Sequence, residues 1–174
     1  LIGHEYTDGF FVSNDKMENY LIKYGVNKNK IYVTGIPLSD KFFEKFDKTS
    51  IYDEFKLDKT KPVILFFGGG EFGLGKDRTV QILESLIHNL KTYQIIAISG
   101  RNTKMNNAFT DLVIKLNVEN RVKVFDYTNK VPELMSISCL VVSKPGGLTT
   151  SESLASSLPI LVINPIPGQE EENA

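Results

Sequence analysis

One cysteine, two histidines and no tryptophan stand in a chain of 174 residues. The lone Cys139 excludes an intrachain disulfide and fits a reducing compartment. Lying in the apolar run Cys139-Leu140-Val141-Val142, it reads as a small core residue rather than a reactive thiol. No run approaches the roughly 20 apolar residues that cross a bilayer as a helix. No signal-peptide pattern is visible, although the chain opens on Leu1 rather than Met. Charge of one sign is lacking too: 20 basic and 21 acidic residues leave a net charge of −1. That excludes the broad basic surface of a nucleic-acid binder. The small clusters Lys28/Lys30 and Lys56/Lys59/Lys61 read as solvated faces. There is no Asp-x-Asp, no internal repeat and no low-complexity segment.

What is present is ordinary in bulk and regular in pattern. The chain is 41% hydrophobic and 24% charged, as in soluble globular proteins. Its length suits one medium domain, or one domain plus part of another. Gly9-Phe10-Phe11-Val12-Ser13 reads as a short strand. Asn14 or Asp15 can cap a following helix with apolar positions Met17, Leu21 and Ile22, and Gly25 stops it. Lys30 to Gly35 is a second strand. Residues 38–60 are charged and Phe-rich, with helical spacing but no strand signal, and read as a connector.

A second series then begins. Val63-Ile64-Leu65-Phe66-Phe67 is an unbroken apolar run, the pattern of a strand covered on both faces. A glycine loop leads to a helix at Val80, Leu83, Ile87 and Leu90, then a strand at Gln94–Ser99. A helix near 106–116, a strand at Val122–Phe125, a short helix at Val131–Ser136 and a strand at Cys139–Ser143 follow. The last pair is a helix near Thr150–Ser157 and a strand at Pro159–Ile163. Such alternation predicts a Rossmann-like, doubly wound parallel α/β sheet. The chain stops just after a strand and its loop, so a piece of a longer enzyme is expected.

Three loops carry candidate chemistry. Gly68-Gly69-Gly70-Glu71-Phe72-Gly73-Leu74-Gly75 follows the first strand of the second series. Glycines there let a backbone approach an anion at a helix N-terminus. The spacing Gly68-x-Gly70-x-x-Gly73 matches a dinucleotide fingerprint, but the next strand ends Ser99-Gly100-Arg101 instead of in an acidic residue. A 2′-phosphate reading survives on Arg101. A P-loop reading fails where Asp77 replaces the required hydroxyl residue. A plain flexible turn is the competing account.

The second loop is Lys144-Pro145-Gly146-Gly147-Leu148-Thr149-Thr150-Ser151-Glu152. Gly146 and Gly147 leave room for a phosphate at the following helix start, and Lys144 can add positive charge. Thr149-x-x-Glu152 also spells a capping box that needs no ligand. Alternatively, Glu152 accepts two hydrogen bonds from a ribose diol. The third loop, Pro165-Ile166-Pro167-Gly168-Gln169-Glu170-Glu171, follows the last strand, on the same sheet edge. Its Gln and Glu suit sugar hydroxyls, or make an ordinary acidic loop.

Taken in order, Gly68 to Gly75, Ser99-Gly100-Arg101-Asn102, Lys144-Pro145-Gly146-Gly147-Leu148-Thr149 with Glu152, and Pro167-Gly168-Gln169-Glu170-Glu171-Glu172-Asn173 resemble the C-terminal donor domain of glycosyltransferase family 28. The likeness is to the diacylglycerol glucosyltransferases and monogalactosyldiacylglycerol synthases, and it spans nearly the whole chain. It implies the donor half of a GT-B fold. Residues 1–37 would be a remnant of the N-terminal acceptor domain, 38–60 the connector, and 61–174 a truncated UDP-sugar-binding domain.

The resemblance implies an inverting hexosyltransferase that moves a sugar from UDP-glucose or UDP-galactose to diacylglycerol or a related lipid. It implies no metal and no cofactor. Gly146, Gly147, Leu148 and Thr149 would hold the diphosphate and Glu152 the ribose. Phe125 would face the uracil through its backbone, and Arg101 and Lys144 would lie near the nucleotide. Gln169 and Glu170 would grip the sugar, while Gly68 and Gly69 would line the cleft. The general base and most of the membrane-facing surface would lie in an N-terminal domain beyond this chain, so no catalytic residue is expected here and the chain alone is expected to be inactive. A cytoplasmic, peripheral place on the inner membrane face follows. His4, four residues before Asp8, reads as structural or as facing the acceptor. The Lys-Pro-Gly-Gly-Leu-Thr form is nearer the bacterial glucosyltransferases, and Gly68-Gly69-Gly70-Glu71 nearer the plant pattern, which leaves glucose against galactose open. Other readings are a lipid I N-acetylglucosaminyltransferase, a UDP-N-acetylglucosamine 2-epimerase-like isomerase, and a non-catalytic UDP-sugar-binding module.

Overall fold

The computed structural model describes residues 4–68 and 75–163. Two compact units divide the chain between Ser39 and Asp40. In the first, β1 (Phe10–Val12) and β2 (Ile31–Val33) run parallel, joined through α1 (Asp15–Lys23). Asn14 caps α1, its side-chain oxygen accepting from the Met17 N–H at 3.0 Å. Val12, Val26 and Ile31 are its buried core.

In the second unit α2 (Lys48–Glu54) precedes four βα repeats and a fifth strand. These are β3 (Val63–Phe67), α3 (Gly75–Asn89), β4 (Gln94–Ile98), α4 (Thr103–Lys115), β5 (Val122–Phe125), α5 (Val131–Ile137), β6 (Ser138–Ser143), α6 (Gly147–Ala155) and β7 (Ile160–Val162). All five strands are parallel, in the order β5-β4-β3-β6-β7. The chain therefore moves outward from β3 to β5, crosses back, and resumes at β6 on the other side of β3. That reversal is the switch point where open α/β sheets bind ligands.

The unbroken apolar strands reflect two covered faces. On β3, Ile64 and Phe66 join Leu83 and Ile87 of α3 and Phe109 and Leu112 of α4. Val63 and Leu65 point the other way, toward Ile51 of α2 and Leu134 and Met135 of α5. Each such fully buried side chain contributes about 1.5–3 kcal/mol.

Three sequence expectations change. Residues 40–60 do more than connect: Ile51 and Leu57 are buried in the second unit's core, with Phe42, Phe46 and Phe55 packed against it. The phenylalanines that gave this segment its character cover one face of the sheet.

Cys139 is exposed rather than core. Val63 pairs with Ser138 and Ile64 with Leu140, so Cys139 is the extra residue of a bulge in β6. The bulge breaks the inside-outside alternation at that residue, and burial still raises its thiol pKa. Finally, α4 and α6 begin three residues earlier than expected, at Thr103 and Gly147.

At the opposite edge of the sheet, Gln94 shows how a buried amide closes a turn. Its Oε1 accepts from the Asp58 N–H at 2.7 Å, and its Nε2 donates to the carbonyls of Asp58 at 2.8 Å and Lys61 at 3.3 Å. Gln94→Leu strands those backbone groups under a residue that is 1% exposed. The expected loss is about 2 kcal/mol, read as a lower denaturant midpoint with an unchanged slope.

Candidate functional site

Because every strand of the second unit points the same way, their carboxyl ends share one edge. Gly68 follows β3, Ser99-Gly100-Arg101 follows β4, Phe125 ends β5, and Lys144 to Thr149 follow β6. The fold thus gathers the described candidates at one sheet edge. Gly69, Gln169 and Glu170 lie outside the described residues, as does the rest of the 69–74 and 164–174 loops and the side chain of His4.

The loop after β6 ends in a helix start with no side-chain cap. Gly146 is the N-cap of α6, with φ −64° and ψ 139°, and no side chain caps this end. The Thr150 N–H makes the first turn's hydrogen bond, to the Gly146 carbonyl at 2.9 Å. The N–H groups of Gly147, Leu148 and Thr149 precede it and have no acceptor within the helix. A Cβ on Gly146 would meet nothing within 4 Å, so the approach is open. These N–H groups carry the positive end of the helix dipole. In α1, α2 and α4 an Asn or Asp side chain occupies the equivalent place.

This frame removes the capping box. With Gly146 as N-cap, Thr149 is the third residue of the helix and Glu152 the sixth, three residues beyond the position from which a capping-box Glu reaches back. Thr149 and Thr150 are not caps either. The Thr149 carbonyl accepts from the Ser153 hydroxyl at 2.8 Å, and the Thr150 hydroxyl is buried without a partner among the described residues. Glu152 is half-buried, and burial raises its carboxyl pKa. It makes no ion pair among the described residues. A desolvated carboxylate without donors gains from a ligand that brings hydroxyls.

The loop after β4 splits its residues between structure and surface. Gly100 takes φ +63°, where a side chain would strain the turn. Asn102 caps α4, accepting from the Met105 N–H at 3.0 Å. Arg101 is left exposed, its guanidinium 5.0 Å from the centre of the Tyr127 ring.

Phe125 and Gly68 are more structural than expected. The Phe125 ring packs edge-on against Phe55 at 5.4 Å. Its carbonyl accepts from both the backbone N–H and the hydroxyl of Ser99, at 2.9 and 3.2 Å. Gly68 is buried, and a Cβ there would stand 2.2 Å from the Phe109 ring. Sequence reasoning missed Asp126, Tyr127, Thr103 and Asn106, which surround Arg101. The signal for the first two was their place directly after a strand's carboxyl end.

A switch-point parallel sheet whose edge carries an uncapped helix start and a half-buried carboxylate, unpaired among the described residues, has the architecture of the Rossmann-like half of a GT-B fold. The chain belongs to the family of glycosyl transferases group 1, whose family model matches residues 47–174. It is 30% identical over 171 residues to the processive diacylglycerol β-glucosyltransferase of Bacillus licheniformis, covering 98% of this chain and 43% of that protein. It is 36% identical over 169 residues to the enzyme of the same name from Staphylococcus epidermidis, covering 97% and 42%. The chain thus spans less than half the length of these relatives. They carry the name that the motif resemblance pointed to, although the matching family model is group 1 rather than family 28.

Among solved structures, UDP-GlcNAc 2-epimerase from Neisseria meningitidis, bound to UDP-GlcNAc, superposes with a TM-score of 0.74 at 20% identity. The match covers 97% of this chain and 47% of that one. At that identity the likeness is one of fold. No helix among the described residues is long and apolar enough to cross a membrane.

Proposed function

We infer that this chain is the donor-binding part of a UDP-sugar-dependent hexosyltransferase that glycosylates diacylglycerol with inversion. The observation that carries the reading is the start of α6. Three backbone N–H groups without helical acceptors, and a half-buried Glu152 unpaired among the described residues, lie on the helix that starts at the ligand edge of the sheet, beside its switch point. The diphosphate takes the N–H groups. As the sugar leaves, negative charge builds on the β-phosphate, and the same groups stabilise it. Glu152 accepts from the ribose hydroxyls, and Lys144 and Arg101 add positive charge near the nucleotide.

The names of the relatives support diacylglycerol as acceptor and glucose as the transferred sugar. In this reading the lipid acceptor, the general base and the membrane contact engage parts of the enzyme that these residues do not supply.

Isothermal titration of UDP into the 174-residue chain tests the binding step, and a chain that takes up no UDP sinks the reading. Transfer is tested on the whole enzyme with UDP-glucose, UDP-galactose and UDP-GlcNAc against diacylglycerol vesicles. Glucosyl-diacylglycerol is the expected product, and the isolated chain is expected to make none. Epimerised UDP-GlcNAc with no glycolipid would favour the isomerase reading instead.

A further inference from the structure

Three cations stand where helix stability does not call for them. Lys76 and Arg78 lie in the first turn of α3, and Lys104 in the first turn of α4. A positive charge at a helix start opposes the helix dipole, which favours acidic residues there. All three side chains are exposed. The one carboxylate in these two turns is Asp77.

Elsewhere lysines are neutralised by neighbours. Lys59 pairs with Asp53 at 2.7 Å, Lys61 with Asp58 at 3.4 Å, Lys28 with Glu18 at 3.9 Å, and Lys130 with Glu54. Lys76, Arg78 and Lys104 make no ion pair among the described residues.

Their position gives these charges a use. α3 and α4 pack on the sheet face of Ile64 and Phe66, and their first turns follow the carboxyl ends of β3 and β4. α6, at whose start the diphosphate is placed, ends against α5 and Phe42, which belong to the other face. The cations thus flank the ligand edge on the face away from the diphosphate.

We propose that Lys76, Arg78 and Lys104 dock the ligand edge on the acidic headgroups of a lipid bilayer. The proposal rests on the reading of a transferase from UDP-sugar to diacylglycerol, and names the surface that brings the donor to that acceptor. It adds to the membrane contact made by the rest of the enzyme.

The hydroxyl of diacylglycerol lies at headgroup level, so an edge that carries the donor works close to the bilayer surface. The potential of an acidic leaflet acts over about one Debye length, roughly 8–10 Å. Cations on the rim of the working edge enter that range, and each adds to the attraction. The chain as a whole carries a net charge of −1, so the attraction is local to this corner.

The test is co-sedimentation of the chain with phosphatidylcholine vesicles, with and without phosphatidylglycerol. Wild type should bind the acidic vesicles selectively and release them as salt rises. Lys76→Glu with Arg78→Glu should weaken this binding by at least about ten-fold, and Lys104→Glu by about three- to ten-fold. Glutamates suit a helix start, so these variants keep the fold. Lys59→Glu with Lys61→Glu, at the opposite sheet edge, should change it by less than about two-fold. UDP affinity should stay within about two-fold of wild type throughout. In the whole enzyme, the Lys76→Glu, Arg78→Glu pair should slow transfer to diacylglycerol in acidic vesicles and spare transfer to a dispersed short-chain diacylglycerol.

Equal binding to both kinds of vesicle, equal losses in the two pairs of reversals, or equal slowing with both acceptors overturns the proposal. A fall in UDP affinity that matches the fall in vesicle binding also overturns it, because the cations would then serve the donor. UDP uptake without vesicle binding overturns it and leaves the UDP-sugar reading standing. Selective vesicle binding without UDP uptake supports the docking surface and removes that reading.

Discussion

Glu152→Gln is expected to weaken UDP binding at pH 7 by about ten- to a hundred-fold and, at the same pH, to raise the melting temperature. The two effects have one origin. The carboxylate is half-buried, burial raises its pKa, and no cation among the described residues pairs with it. Its charge is therefore a cost to the empty fold and an asset once a donor-rich ligand arrives. A hydrogen bond to a charged acceptor is worth about 1.5–3 kcal/mol, which sets the expected loss of affinity.

The pH dependence follows from the direction of the shift. The folded state holds the Glu152 proton to a higher pH than the unfolded chain does. Between the ordinary carboxyl pKa and the raised one, the folded state binds more protons, so stability falls as pH rises through that window. Above it the penalty is constant. Melts of wild type and Glu152→Gln should therefore coincide at the acid end of the range. They should separate in the variant's favour as pH climbs past the ordinary glutamate value. A capping glutamate would behave oppositely, because its removal lowers stability wherever it is ionised.

The ribose role has its own control, 2′-deoxy-UDP. Wild type should discriminate against it, and Glu152→Gln should do so much less, since the hydroxyl's partner is already impaired. Equal discrimination by both proteins would dissociate Glu152 from the diol.

The sheet was legible because strands covered on both faces read as unbroken apolar runs, as Val63–Phe67 and the Ile95–Ile98 part of β4 do. Their parallel alternation with helices is enough to put the glycine loop after β3 and the one after β6 on one edge. The start of α6 was harder to read. Gly146, Gly147, Thr149 and Thr150 are all acceptable N-caps by chemistry, and the choice of Gly146 depends on where β6 releases the chain. That choice moves Glu152 from the capping position to the sixth helical residue and so frees its carboxylate from the cap.

Cys139 was misread for a related reason. A bulge is a property of two strands together, and nothing in Ser138-Cys139-Leu140 announces that Ile64 will pair one residue later than alternation requires. The Phe-rich stretch of 40–60 lacked a strand signal, and only packing shows that its rings cover the sheet. The Arg101–Tyr127 pair joins residues 26 apart in sequence, across two strand ends, and became visible only when β4 and β5 were side by side.

Gly68→Ala should be among the most destabilising single-methyl changes in the chain, and its rescue separates packing from ligand contact. An added Cβ would sit 2.2 and 2.7 Å from two carbons of the Phe109 ring and 3.0 Å from the Phe66 ring. Neither ring has room to retreat, since both are 0% exposed and lie against each other, with centroids 5.7 Å apart. Nor can Gly68 itself shift easily, because its N–H donates to the Ile98 carbonyl at 3.0 Å. Overpacking of this kind costs about 1–3 kcal/mol.

Phe109→Leu, which shortens the offending side chain, opens a void and costs stability alone. Combined with Gly68→Ala, the void receives the methyl. The double variant should then be more stable than the sum of the two losses allows, by at least about 1 kcal/mol in a chemical-denaturation cycle. Additive losses would show that the ring is not what requires a glycine there.

The same cycle bears on the ligand. Phe109 lies on α4, whose first turn carries Thr103 and Asn106 beside Arg101 at the ligand edge of the sheet. Strain at Gly68 therefore reaches the nucleotide through helix position. UDP affinity should fall in Gly68→Ala and recover in the double variant along with stability. If affinity instead stayed low while stability recovered, Gly68 would be contacting the ligand, and its closeness to Phe109 would be a second, separate duty.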